Sequence, residues 1–254
     1  MATFPAHWVN FEMKIGVVCE GPTDYPAIVQ FFRHALLERN ITAEFRSLFP
    51  DMDKTRPTGG WASVLLWLQN NQPNSRVQRY FGGGLFGGTL ATERLDAILI
   101  HLDADILPSD SFINFVQRNY NFNVVDVDDP VGRGTQIIEI INLAARFDDM
   151  TNADCARHVP APAVESTETW CVAAFTVPPA EFEQLRGTQL TYSFMTALER
   201  SEGREPQDVY ENIDKNLQRR RRFCETHAAS SSRVIQGCQH FSSAVTKLVS
   251  LSSL

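Results

Sequence analysis

The stretch Lys14–Ile28, KIGVVCEGPTDYPAI, decides the reading of the chain. Ile15 to Cys19 is short and apolar throughout, the pattern of a strand buried on both faces of a parallel sheet. It stops at Glu20, and Gly21 and Pro22 follow directly. Gly21 permits a sharp turn, and Pro22 suits the first turn of a helix whose positive end Asp24 would favour. The helix continues through AIVQFFRHALLERN, apolar at Ile28, Phe31, Phe32, Ala35 and Leu36. A buried strand that ends on a carboxylate, with a tight turn behind it, is the motif to explain.

Working outward, the spacing predicts a second strand over ITAEFRSLF and a polar loop over PDMDKTRPTGG. WASVLLWLQNN reads as a helix, and the glycine-rich PNSRVQRYFGGGLFGGTL as an irregular, mobile crossing. LDAILIHLDADI is a second buried strand, Ala97 to Leu102, and it also ends on acid. A helix from about Ser109 to Arg118, a strand at FNVVDV and a helix at GTQIIEIINLAARF follow. ARHVPAPAV is a short extended piece, and ESTETWCVAAF starts a helix. Strand–helix alternation predicts an α/β fold with a mainly parallel sheet over residues 13–177. Residues 178–254 contain no strand-like run and predict three or four helices packed on that domain. The segment before Met13 reads as a loose leader without the pattern of a signal peptide.

The 254 residues are 43% hydrophobic, enough for a sizeable core, and 21% charged, which argues against disorder. A net charge of −7 argues against a protein that simply coats nucleic acid, although local basic patches remain compatible with it. The five cysteines include no C-x-x-C, so neither a disulfide framework nor a zinc knuckle is expected, and a cytoplasmic protein with reduced thiols is. No apolar run approaches the ~18 residues of a membrane span.

Ligands of open parallel sheets bind beyond the carboxyl ends of the strands. Acid stands at three such places: Glu20, the pair Asp103 and Asp105, and the pair Glu165 and Glu168. Asp103 and Asp105 project to one side of an extended chain, and Glu165 and Glu168 share a face of a helix beginning there. Carboxylates gathered in this way repel and are pushed up in pKa unless a hard cation lies among them. Oxygen-only donors suit Mg²⁺ or Mn²⁺, the ions of phosphodiester cleavage and transfer. Lys54 and Arg56, in the loop after the second strand, are candidates to hold a phosphate. His101, within an apolar strand, reads as a core histidine, and His158 falls at the wrong end of its strand. Four consecutive arginines, Arg219 to Arg222, cover all sides of a helix, so some of them must snorkel or pair with acid.

Together VVCEGPTD, ILIHLDADI and ESTETW resemble, in order, motifs of TOPRIM domains, with similarity to OLD-family nuclease modules and to small bacterial TOPRIM-like proteins with a Glu-x-Trp motif. The resemblance implies a Mg²⁺- or Mn²⁺-dependent nuclease on DNA or RNA. Glu20 would serve as general acid/base or metal ligand, Asp103 and Asp105 as metal ligands, and Glu168, with Glu165, would replace the third acid absent after Asp105. It further implies a role in anti-phage defence beside an ATPase. This chain has no G-x-x-x-x-G-K-[ST], so that ATPase would be a separate partner; association into a homo-oligomer is left open. Two alternatives stand beside it: a non-catalytic TOPRIM-like binding or sensor subunit, and a D-x-D glycosyltransferase, which leaves EGPTD unexplained.

Overall fold

The computed structural model describes residues 11–52, 59–82, 94–125, 127–177 and 181–252. Four parallel strands form the sheet: β1 (Phe11–Val18), β2 (Ile41–Phe49), β3 (Ala97–Ile100) and β4 (His158–Pro160), in the order β2-β1-β3-β4. β1 begins two residues before Met13, because Phe11 and Glu12 already pair with Ile41 and Thr42. Side chains alternate between the two faces as the pleat requires. Met13, Ile15, Val17 and Cys19 enter one apolar cluster, and Val18 enters the other. Ala97 and Leu99 join the first, Ile98 and Ile100 the second. Burial on both faces explains why β1 and β3 read as continuous apolar runs.

On the second face lie α2 (Trp61–Asn70), α4 (Asp110–Tyr120) and α5 (Pro130–Ala145). On the first lie α1 (Tyr25–Leu37), α7 (Thr167–Phe175), α8 (Gly187–Ser201), α9 (Leu217–His227), α10 (Ser231–Gly237) and α11 (Gln239–Leu251). Two short helices, α3 (Pro73–Arg76) and α6 (Asn152–Ala156), complete the set among the described residues. The four helices α8 to α11 contribute Phe194, Phe223, Val234 and Phe241 to the same cluster as β1 and α1. Phe241 packs at a tilt against Phe32, 4.4 Å between ring centres, and meets Trp170 at 5.2 Å. The mixed α/β fold with a parallel sheet, flanking helices and a helical C-terminal extension is therefore present.

Three local expectations change. FNVVDV forms no strand among its described residues. The Gln136 side chain takes the place of a neighbouring strand, accepting from Val125 N at 2.8 Å and donating to Val125 O at 2.7 Å. The segment after Pro73 is helical through α3 and a π-helical turn, Val77–Phe81. It is pinned by the buried Arg76, which donates to the carbonyls of Leu68, Asn71 and Ala145. The rest of the glycine-rich stretch, residues 83–93, lies outside the described residues. Finally, α1 starts at Tyr25 with Pro26 in its first turn, so Pro22 belongs to the turn ahead of the helix.

Candidate functional site

The strand order places a switch point between β1 and β3: the chain winds from β1 to β2 on one side and on to β3 and β4 on the other. Glu20 and Asp103 leave the carboxyl ends of these two neighbouring strands. The backbone N–H of Asp103 donates to Glu20 Oε1 at 2.8 Å, so the two acids are locked together by a bond between main chain and side chain. The sheet continues past β3 as a bridge between Asp103 and Ala163, and Asp105 N donates to Glu165 O at 3.0 Å. EGPTD, HLDAD and ESTETW thus meet at one sheet edge.

The loop after β2 reaches the same edge. Gly60 N donates to Glu20 O at 2.7 Å, and a Cβ on Gly59 would collide with that carbonyl. Only a residue without a side chain fits this approach. Lys54 and Arg56, in the same loop, lie outside the described residues.

His101 is fully buried, but it is more than core filling. Its Nδ1 lies 2.8 Å from Ala161 O and its Nε2 2.9 Å from Asp103 Oδ1. A carbonyl can only accept, so Nδ1 carries a proton, and a second proton sits between Nε2 and Asp103. Trp170, from the Glu-x-Trp motif, packs edge-on against the imidazole at 5.2 Å and holds the ring in place. His158 stands at the opposite end of the sheet, in hydrogen-bond contact with Arg76.

Asp24 differs from the sequence expectation. It occupies the N-cap position of α1 but makes no capping bond. Its Oδ1 instead accepts from Thr167 Oγ1 at 3.0 Å, and Thr167 Oγ1 in turn accepts from Arg220 Nη1 at 3.2 Å. Arg220 also pairs with Glu168. Glu165 pairs with Arg133 at 2.9 Å, while Arg133 Nε and Nη2 donate to the carbonyls of Val164 and Ala104. Gly187 N adds a weak contact to the other oxygen of Glu165, at 3.3 Å.

The electrostatics follow from these pairings. Burial pushes the Glu20 carboxyl well up from its ordinary value, and the Asp103 charge adds to this. Burial likewise raises Asp103, reinforced by Asp24, Asp105 and Glu168. Asp105 faces solvent over part of its surface. Its carboxyl is still pushed up to about 6, first by desolvation and then by Glu165 and Glu168. Burial works in the same direction on Glu168, but the Arg220 guanidinium overcomes it and holds that carboxyl below the usual range.

The five acids named from sequence therefore fall into two groups. Glu165 and Glu168 have arginine partners. Glu20, Asp103 and Asp105 have none, and the Asp105 carboxylate makes no hydrogen bond or ion pair among the described residues. Glu20 and Asp103 each commit one oxygen to the protein and keep the other. Glu20 and Asp103 are the type of donor that a hydrated Mg²⁺ or Mn²⁺ takes one or two at a time, its remaining positions filled with water and substrate. It is not a closed cage: among the described residues no group of three or more His, Cys, Asp or Glu side chains is arranged to hold a metal ion.

Fold and site together define a class, a parallel α/β protein with carboxylates gathered at its switch point. No family model, curated protein or solved structure matches the chain.

Sequence reasoning missed Asp24, His101, Arg133, Thr167 and Arg220 as members of this network. Thr167 lay inside a quoted motif and Arg220 inside the noted arginine block; for Arg133 the sequence carries no signal. Of that block, Arg219 pairs with Glu199, Glu202 and Asp214, Arg220 turns inward, and Arg221 and Arg222 are exposed.

Proposed function

We propose that the chain is a Mg²⁺- or Mn²⁺-dependent nuclease of TOPRIM type, cleaving phosphodiester bonds in DNA or RNA. The observation that carries this reading is the locked pair of Glu20 and Asp103 at the switch point, acids without an arginine partner among the described residues, beside two acids that have one. A bound divalent ion would supply Lewis-acid stabilisation of the phosphoryl oxygens.

The chain's own groups account for the rest. Glu20, its carboxyl pushed well up by burial and by Asp103, holds its proton more tightly than an ordinary glutamate, the direction that general acid/base work requires. Asp103 is oriented by His101 behind it, and Asp105 stands outermost, where substrate arrives. The motif resemblance extends the reading to anti-phage defence with a separate ATPase. No helix among the described residues is long and apolar enough to cross a membrane.

The test is cleavage of single- and double-stranded DNA and of tRNA by the purified chain with Mn²⁺ or Mg²⁺. Glu20→Gln and Asp103→Asn should each abolish cutting while leaving the circular dichroism spectrum unchanged. Full cutting by either variant sinks the proposal. The arginine pairs of Glu165 and Glu168 favour a second reading, a binding module without catalysis. Retention of biological activity by a Glu20→Ala/Asp103→Ala variant would select it.

A further inference from the structure

Glu168 is on α7 and 5% exposed; Arg220 comes from α9, more than fifty residues later, and is 2% exposed. The guanidinium is enclosed on every side. One end meets Glu168, the other reaches Thr167 and through it Asp24, and the Phe194 ring lies 4.8 Å from its central carbon. Its Nε is buried and has no partner. An arginine in this position cannot swing to solvent, so its charge is a permanent part of the acidic cluster.

We infer that Arg220 is a positioning residue that withdraws Glu168 from cation binding, so that the C-terminal helix α9 sets the cation affinity of a site built on the sheet. The inference rests on the cation-site reading above but departs from it at Glu168: this acid anchors Arg220 and donates nothing to the ion. Arg133 and Glu165 form the corresponding pair beside Asp105. The acids that remain for a divalent ion are those at the ends of β1 and β3.

The pairing has a signature that an ordinary structural role lacks. Removing Arg220 leaves an uncompensated negative charge beside the ion; removing Glu168 leaves an uncompensated positive one. The two single changes must shift cation affinity in opposite directions, and the double change must nearly cancel. The probe is Mn²⁺ alone, with free ion followed by electron paramagnetic resonance in the full chain.

Arg220→Gln should bind Mn²⁺ about tenfold tighter and Glu168→Gln about tenfold weaker. Glu168→Gln/Arg220→Gln and Arg220→Lys should stay within about threefold of wild type. If Glu168 is a ligand, Glu168→Gln and the double variant lose affinity together, by about tenfold or more, and the inference is overturned. A wild-type chain that binds no Mn²⁺ overturns it as well. Should a single variant fail to fold, the double variant, which removes both charges of the Glu168–Arg220 pair together, decides by the same two thresholds. Cleavage is read separately. Opposite Mn²⁺ shifts in a chain that cuts nothing support the inference and overturn the nuclease reading alone; cutting with shifts in one direction does the reverse.

Discussion

At the scale of the residue, burial decides how each acid behaves, and one acid far from the sheet edge shows this cleanly. Glu183 is half-buried, and its carboxyl is pushed up to about 7 from an ordinary 4.5 by desolvation, which outweighs the lowering pull of the Gln239 backbone N–H. The folded chain therefore holds a proton that the unfolded chain releases between pH 4.5 and about 7. Stability from this group is present below the unfolded value and is lost as pH rises through the folded one. Glu183→Gln keeps the acceptor and removes the charge. It should match wild type in urea denaturation at pH 5 and exceed it at pH 8; equal midpoints at both values would refute the assignment. The same lesson explains what the sequence showed of the site. Glu20, Asp103 and Asp105 were legible because acid is out of place at the end of an apolar run. His101 was not, since its partners Ala161 and Asp103 approach only once β3 lies beside the segment after β4.

At the scale of the element, strands and helices were legible where their own side chains decide them. β2 and β3 carry their pattern in full, and α1 shows a clear apolar face. Failures came where a distant group completes the backbone: Gln136 stands in for a strand beside Val125, and Arg76 pins the helical turns after Pro73. α7 is buried on all sides from Thr167 to Ala174, so periodicity could not say which face meets the site. The loop into α2 gives a direct test. Gly59 touches the Glu20 carbonyl, a main-chain atom that cannot turn aside. Gly59→Ala should force this loop off the sheet edge and lower the melting temperature by several degrees, the effect of roughly 1–3 kcal/mol of overpacking in a domain of this size. An unchanged melting temperature would show that the loop is free to move.

At the scale of the whole molecule, the C-terminal helices complete one core. Phe223, Val234, Phe241, Val245 and Leu248 lie in α9 to α11, and all five are at most 2% exposed. Full burial of such side chains stabilises by about 2 kcal/mol each, so their loss approaches the roughly 5–15 kcal/mol that holds a typical domain together. A chain ending at Asn216 should lose its cooperative thermal transition and bind a hydrophobic dye; a sharp transition in that fragment would show an independent sheet domain. The composition announced a core of this size, but not that Phe241 would reach Trp170 and, through its ring, His101. That connection joins segments too far apart in sequence for any local pattern to record.

The short strand at the sheet margin has one more consequence. Ile98 pairs with His158 in register and donates its N–H to Arg157 O, so the polar backbone groups of His158 and Pro160 point away from the sheet. Lys247 on α11 fills the His158 carbonyl at 2.7 Å, and Pro160 has no N–H to offer. A passing strand, whether from a misfolded neighbour or a second copy, meets at β4 one carbonyl already taken and one N–H missing. β2, at the other margin of the sheet, carries the exposed charge of Glu44, which makes it a poor template too.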